Sequence, residues 1–130
     1  MPRQPAMRRQ KVTFVAVRRM GLRLPDVEEG TMYGSPALKV RGNLLACLAV
    51  HKSAEPDTLA VRIDFSERDE LIDADPKTYY LTEHYVDYPV VLVRLARIRT
   101  DALSDLLSAA WRFVSARKRA PRLPTARPRR

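Results

Sequence analysis

The sequence predicts an α+β fold, an antiparallel sheet of about five strands with an N-terminal and a C-terminal helix packed on one face. Two patterns carry this prediction. Apolar residues recur at helical spacing near both ends of the region 12–116, whereas apolar and polar residues alternate in segments between them. Helical spacing indicates a helix with one buried face, and alternation indicates a strand with one face on a core.

The first predicted element is a helix. Apolar residues lie at roughly helical spacing from Phe14 to Leu24, Thr13 precedes them as a candidate N-cap, and Pro25 follows them as a stop. Residues 24–30 are predicted to form a connector, because they contain Pro25 and three acids and show no strand alternation.

A hairpin and a third strand follow. Residues 37–41 alternate between apolar and basic side chains, Gly42 and Asn43 provide a two-residue turn signal, and residues 44–50 form the partner strand. Residues 59–65 alternate again and are predicted to be the third strand.

The remaining predicted elements are a short helix, two strands and a last helix. Ser66 is a candidate N-cap of a short helix that ends before Pro76, and its acids are interpreted as a solvated face interrupted by Arg68. Residues 78–82 and 90–96 are the predicted fourth and fifth strands. Thr100 then caps the last helix, whose apolar face consists of Leu103, Leu106, Leu107, Ala110, Trp111 and Val114.

Strand alternation has a consequence for charge. If the apolar strand residues face the helices, four basic side chains face the opposite way: Lys39, Arg41, Arg62 and Arg94. This open face is a candidate surface for nucleic acid or another anion. The alternative is that long basic side chains merely cover a solvated sheet.

The net charge of +9 comes from the two ends of the chain. Residues 1–11 and 117–130 hold 11 of the 24 basic residues and no acid, so the region 12–116 carries 13 − 15 = −2. Proline and like-charge repulsion oppose packing, so both ends are predicted to be disordered extensions of one domain, residues 12–116. Such extensions could bind DNA phosphates without sequence preference, or could simply keep the protein soluble.

Several classes of protein are not expected. The chain has no apolar run long enough to cross a membrane and no secretory signal. Its single cysteine, Cys47, cannot form an internal disulfide, which is typical of a reducing cytoplasm. No metal-ligand motif, glycine-rich phosphate loop or complete catalytic motif is present, so we expect no cofactor, no metal and no enzymatic activity. A monomer is favoured.

The segment 82–89 is the strongest candidate for a site. It places His84, Tyr85 and Tyr88 immediately before the most apolar predicted strand, and Pro89 restricts Tyr88 to extended geometry. Together with Tyr33 and Arg94, these side chains would suit a small anionic or planar ligand. The alternative is structural: a histidine bonded to nearby backbone and tyrosines that anchor the loop. His51, beside Lys52, is predicted to be a solvated surface residue, and Cys47 an inert buried one.

Three segments resemble the MmcQ/YjbR-like family in order and spacing, over about residues 13–115. They are Leu24-Pro25-Asp26-Val27-Glu28-Glu29, Tyr33-Gly34-Ser35-Pro36-Ala37-Leu38-Lys39-Val40-Arg41-Gly42, and His84-Tyr85-Val86-Asp87-Tyr88-Pro89-Val90-Val91-Leu92-Val93-Arg94-Leu95. The resemblance implies a CyaY-like fold with a double-wing motif, and family members are commonly named DNA-binding proteins. This chain has Leu38, Asn43 and Asp87 where the family often has Phe, Lys and Gly, and the last two differences weaken a phosphate-binding interpretation.

Two hypotheses about function follow. The first is a non-enzymatic DNA-binding protein that uses the open sheet face, the hairpin and the basic ends. The second is a small-ligand or protein-interaction module with a pocket around His84, Tyr85, Tyr88 and Arg94. A pocket beside His84 on a face without continuous positive charge would favour the second.

Overall fold

The computed structural model describes residues 12–119, with side chains through residue 116. Its elements are α1 (Phe14–Gly21), β1 (Val27–Met32), β2 (Ser35–Val40), β3 (Asn43–Leu48), β4 (Thr58–Arg62), α2 (Phe65–Ala74), β5 (Tyr79–Tyr80), β6 (Val90–Arg94) and α3 (Thr100–Arg119). The six strands form one antiparallel sheet in the order β1-β2-β3-β4-β6-β5. The predicted α+β class is confirmed.

Helices α1 and α3 cover one face of the sheet and enclose the main core. The strand residues predicted to face the helices are buried there: Leu38, Val40, Val61, Ile63, Val93 and Leu95. Gly21 allows α1 to lie directly on β2, because a Cβ at this position would collide with the side chain of Leu38. Helix α2 packs beside β5 and β6, at the far edge of the sheet.

The predicted connector at residues 24–30 is largely a strand. Residues Val27–Met32 form β1 and pair with β2 along their whole length. Two acids and a glycine give this segment low strand propensity, which is why the prediction was wrong; pairing with β2 overrides the local preference. The indole N–H of Trp111 donates to the backbone oxygen of Pro25 at 2.8 Å and fixes the chain just before β1.

Both hairpins turn on residues with positive φ. Tyr33 and Gly34 (φ 55° and 78°) join β1 to β2, and Arg41 and Gly42 (φ 50° and 86°) join β2 to β3. Positive φ at both central residues defines the type I′ turn that matches the twist of a hairpin. The predicted turn at Gly42 and Asn43 is therefore one residue too late, since Asn43 already belongs to β3.

The helix ends also differ from the predictions. Helix α1 ends at Gly21 rather than at Pro25, and Thr13 makes no side-chain cap hydrogen bond. The N-cap of α2 is Asp64, whose carboxylate accepts from the backbone N–H of Ser66 at 3.0 Å. Helix α3 continues to Arg119, beyond the predicted domain end. Residues 1–11 and 120–130, which make up most of the predicted extensions, lie outside the described residues.

A bulge in β3 decides which residues face away from the helices. The register between β2 and β3 shifts, so Leu45 and Ala46 both enter the helix-facing core. The flanking residues Leu44 and Cys47 belong to a second apolar cluster on the opposite face. The extra residue thus sets the strand phase that brings Cys47 onto the open face.

Among the described helices, none combines the length and apolar character required to cross a bilayer.

Candidate functional site

A cavity of about 800 Å³ lies on the open face of the sheet, opposite α1 and α3. Its floor contains two short side chains on neighbouring strands, Cys47 of β3 and Ala60 of β4. The register pairs Ala37 with Cys47 and Cys47 with Ala60, and all three are buried. Because these side chains are short, the space above Cys47 and Ala60 is left open to form the cavity.

The segment 82–89 forms one wall of this cavity. It folds into consecutive turns, in which the backbone N–H of Tyr85 donates to the oxygen of Thr82 and that of Tyr88 to the oxygen of Tyr85, both at 3.0 Å. His84, Tyr85 and Tyr88 line the cavity from this wall, and Tyr33 lines it from the β1–β2 turn. The four side chains predicted to form a pocket are therefore brought together. Tyr33 stands at the mouth, 87% exposed.

Arg68 of α2 holds this wall at its C-terminal end. One guanidinium nitrogen, Nη1, donates to the backbone oxygens of Val86 and Tyr88 at 3.0 and 3.1 Å. Its Nε donates to Asp69 at 3.0 Å, and the guanidinium lies over the ring of Phe65. The side chain is only 8% exposed. Sequence reasoning treated Arg68 as an interruption of a solvated helix face, since nothing local reveals that the loop folds onto it.

Two further contacts attach the wall to the sheet and to the loop after β3. The backbone N–H of Ile63, just after β4, donates to the oxygen of Pro89 at 2.9 Å. At the other end, the hydroxyls of Ser53 and Thr82 lie 2.8 Å apart. The wall is thus hydrogen-bonded at both ends.

The two histidines of the chain stack on each other at the cavity. The ring centroids of His51 and His84 are 3.6 Å apart, and the ring planes differ by 11°. Tyr85 meets both rings edge-on. The prediction that His51 is a solvated surface residue is wrong, because its half-buried ring lines the cavity. The contact joins residues 33 positions apart, so only the fold could reveal it.

The hydrogen bonds of His51 define its protonation. Its Nδ1 accepts from the backbone N–H of Ser53 at 3.0 Å and therefore carries no proton. The Ser53 hydroxyl, 2.8 Å away, then donates to the same nitrogen and accepts from Thr82. Burial, followed by the positive charges of His84 and Lys52, lowers the pKa of His51. The ring is neutral at pH 7.

Two other titratable groups at the cavity, the Cys47 thiol and the Tyr85 phenol, have raised pKa values. Burial raises the pKa of the Cys47 thiol to about 11, so Cys47 is the inert buried residue that was predicted. Burial also raises the pKa of the Tyr85 phenol, partly offset by a hydrogen bond with the backbone of His51. None of the described side chains that line the cavity is an aspartate or a glutamate. Within the described residues, no cluster of His, Cys, Asp and Glu could hold a metal ion.

The four basic residues predicted for the open face lie apart from one another. Lys39 lies beside Gly30. Arg41, in the turn between β2 and β3, donates a hydrogen bond to the carboxylate of Asp26. Arg62 lines the cavity, whereas Arg94 does not. The middle of the open face is apolar rather than continuously basic, because the second cluster occupies it.

Arg94 makes a separate set of contacts with two connecting segments, away from the cavity. Its Nε and Nη2 donate to the two carboxylate oxygens of Glu55, each at 2.8 Å, and the guanidinium lies over the ring of Tyr80. Its Nη1 donates to the backbone oxygens of Pro76 and Lys77 at 3.1 and 3.0 Å. Hydrogen bonding to Arg94 lowers the pKa of Glu55. Arg94 thus ties together two connecting segments instead of joining Tyr33 and His84 at the cavity.

The fold and the cavity are those of a small open-faced α+β domain, and comparison with known proteins gives its family. The YjbR family model matches residues 22–113, so this chain belongs to the YjbR family. A crystal structure of Deinococcus radiodurans protein DR2400, which carries the family-model domain DUF419, has a similar fold. Its TM-score is 0.69, with 20% sequence identity over 83% of this chain and 82% of that one.

Relatives with closer sequence similarity are uncharacterized. Protein Rv2570 of Mycobacterium tuberculosis and protein Mb2600 of Mycobacterium bovis are each 41% identical to this chain over 56 residues. The match covers 42% of this chain and 43% of each of those proteins. The match therefore spans less than half the length of these relatives.

Replacing Arg68 tests whether it holds the cavity wall. Arg68→Met keeps much of the apolar stem but leaves the Val86 and Tyr88 oxygens without their donor. We expect the free energy of unfolding to fall by about 2–3 kcal/mol, since hydrogen bonds from charged donors contribute about 1.5–3 kcal/mol each and water can partly replace them. Urea denaturation measures the change. The matched control Arg97→Met removes an exposed arginine and should change it by less than about 0.5 kcal/mol. If both substitutions changed the free energy of unfolding equally, Arg68 would not anchor the cavity wall.

The stacked histidines predict an unusual titration. NMR titration of the ring protons should give His51 a pKa below the ordinary 6.5. His84→Gln removes the neighbouring charge and should raise that pKa, and Lys52→Gln should raise it less. Because the folded pKa is lowered, the unfolded chain binds more protons as the pH falls below 6.5, and the folded state loses stability in that direction. A His51 pKa at or above 6.5 would contradict the stacked arrangement.

Proposed function

We propose that this protein binds a small organic ligand in the cavity on the open face of its sheet. The observation that carries the proposal is a cavity of about 800 Å³, with an apolar floor and a wall hydrogen-bonded at both ends. Binding sites for small molecules are typically concave, mostly apolar and about 300–1,000 Å³ in volume, with a few polar groups that orient the ligand. An anchored wall favours affinity, because less flexibility is lost on binding.

The proposed role is binding rather than catalysis. A general base needs a free nitrogen or carboxylate within reach of the substrate. Nδ1 of His51 is already occupied by the backbone N–H and hydroxyl of Ser53. The raised pKa of Cys47, about 11, keeps its sulfur a thiol rather than a nucleophilic thiolate. These observations make His51 a poor general base and Cys47 a poor nucleophile, which favours binding as the role of the site.

Filling the cavity should abolish binding. Ala60→Leu adds a branched side chain to the cavity floor, where Ala60 is 4% exposed. Binding is measured with N-phenyl-1-naphthylamine, an uncharged probe that fluoresces in apolar surroundings. We expect the wild-type protein to bind it and Ala60→Leu to weaken the affinity at least about tenfold, which corresponds to 1.4 kcal/mol.

The matched control for this experiment is Ala96→Leu, which adds the same atoms at an exposed position after β6. Its affinity for the probe should equal that of the wild type. Ala49→Leu, at a partly exposed position of the cavity lining, repeats the test in case Ala60→Leu does not fold. Unchanged probe binding in both cavity variants would refute the proposed site.

A second candidate function is nonspecific DNA binding through the ends of the chain. The observation that favours it is the charge distribution, since residues 1–11 and 117–130 hold 11 of the 24 basic residues and no acid. Segments of this composition attract phosphate backbones and release condensed counterions on binding. This interaction would not require the cavity, so the two functions can be tested independently.

Neutralising the C-terminal segment should lower both DNA affinity and its salt dependence. We expect the full chain with Arg122, Arg127, Arg129 and Arg130 replaced by Gln to lose up to about four units from the slope of log K against log salt, about 0.9 per lost contact. Fluorescence anisotropy with a labelled duplex at several salt concentrations measures this slope. Replacing Lys39 and Arg41 by Gln is the comparison within the domain and should change it less. An unchanged slope in the C-terminal variant would exclude the proposed interaction.

A further inference from the structure

We infer that Tyr33, in the turn between β1 and β2, is a ligand-binding residue that covers the mouth of the cavity and packs against an aromatic ring of the ligand. This inference rests on the proposed ligand-binding function, and it specifies a binding residue and the class of ligand. It depends on three observations: the backbone conformation of Tyr33, the exposure of its side chain and the aromatic side chains near it.

The backbone of Tyr33 has a conformation that tyrosine rarely adopts. Its φ of 55° lies in the left-handed region, which glycine, asparagine and aspartate tolerate and bulky residues disfavour. For this reason the first central position of a type I′ turn is usually one of those three residues. Among the described residues, Tyr33 and Arg41 are the two with positive φ that are neither glycine nor aspartate, and each occupies this position of a hairpin turn. The turn itself therefore disfavours a tyrosine.

The two turns differ in what their first central residue contacts. Arg41 donates a hydrogen bond to the carboxylate of Asp26. The side chain of Tyr33 forms no hydrogen bond and no ring contact with the described part of the chain, and Tyr33 is 87% exposed. The fold therefore gains little from this side chain that would offset the unfavourable backbone. Because unusual backbone conformations cluster at ligand-binding sites, the tyrosine is a candidate for function rather than for stability.

Tyr33 lies at the same end of the cavity as the aromatic cluster, which consists of His51, His84 and Tyr85. Because β2 and β3 are antiparallel, the β1–β2 turn lies beside the end of β3, shortly before His51. All four side chains line the cavity. Burial raises the pKa of the Tyr85 phenol, and nearby groups that include Tyr33 raise it further, so the two phenols lie near each other. Tyr33 is thus placed to cover a molecule that lies against the aromatic cluster.

The rings at this end of the cavity favour an aromatic ligand. The planes of His51 and His84 differ by 11°, and Tyr85 meets both rings edge-on. Aromatic rings prefer offset-stacked or edge-to-face partners, which a planar ring provides and a flexible alkyl chain does not. Tyr33 has only two side-chain torsions to fix, so packing against a ligand costs it little conformational entropy. A ligand ring between Tyr33 and the aromatic cluster would contact flat side chains on both sides.

Tyr33→Asn tests the inference without weakening the turn. Asparagine adopts positive φ more readily than tyrosine, so this substitution should not lower the melting temperature. We expect its affinity for N-phenyl-1-naphthylamine to fall at least about fivefold, as the loss of one aromatic contact predicts. Because the ring covers the bound probe, the loss should appear mainly as faster dissociation, which stopped-flow fluorescence measures.

The matched control is Arg41→Asn, which introduces the same residue at the same position of the other hairpin turn. Arg41 does not line the cavity, so the affinity of this variant for the probe should stay within about twofold of the wild type.

Two further substitutions separate the ring of Tyr33 from its hydroxyl and from its apolar character. Tyr33→Phe keeps the ring and should bind the probe within about twofold of the wild type. Tyr33→Leu is apolar but not planar, and its affinity should be at least about threefold lower than that of Tyr33→Phe. The comparison of these two variants tests the assignment of an aromatic ligand.

Each outcome supports or overturns a different part of the inference. If the wild-type protein does not bind the probe, the proposed ligand-binding function fails. If Ala60→Leu weakens binding but Tyr33→Asn does not, the cavity binds ligands and Tyr33 is not a binding residue. A lower melting temperature in Tyr33→Asn than in Arg41→Asn would make the role of Tyr33 structural. If Tyr33→Leu and Tyr33→Phe bind the probe equally, the contact is apolar and the aromatic assignment is wrong.

Discussion

The contact of Arg68 with the segment 82–89 is the interaction on which the candidate site depends. The sheet supplies a hollow above the short side chains of Cys47 and Ala60. A cavity exists because a loop stands beside this hollow, and Arg68 binds two backbone oxygens of that loop with one nitrogen. A buried arginine is costly unless its donors are satisfied, so the loop and the guanidinium stabilise each other. Helix α2 therefore contributes to the site without lining it.

The two faces of the sheet differ in packing because their side chains differ in size. On the helix-facing side, large aliphatic residues such as Leu38, Leu59 and Val61 fill the space under α1 and α3. On the open side, the same strands present Ala37, Cys47 and Ala60 in one row. The bulge at Leu45 is required for this row, because without the extra residue Cys47 would be on the helix-facing side. The cavity thus follows from a register that no single strand specifies.

The sequence predicted features that depend on local periodicity. The apolar faces of α1 and α3, the existence of the β2–β3 hairpin and the strand phase of Leu38 and Val61 were predicted correctly. The features that were missed depend on distant partners: β1 on pairing with β2, His51 on the ring of His84, and Arg68 on a loop 18 residues away. The turn position was missed for another reason, since positive φ at Arg41 is rare for a residue other than glycine.

Arg62 and Arg94 show how two basic residues on one face of the sheet come to lie in different surroundings. Both face away from the helices, on adjacent antiparallel strands, but at opposite ends, since Thr58 pairs with Arg94 and Arg62 with Val90. At the Thr58 end, the loop after β3 brings Glu55 against Arg94 and neutralises it. At the other end, Arg62 lines the cavity together with Tyr88 and Pro89 of the wall. The connecting loops, rather than the strands, therefore decide which arginine binds Glu55 and which lines the cavity.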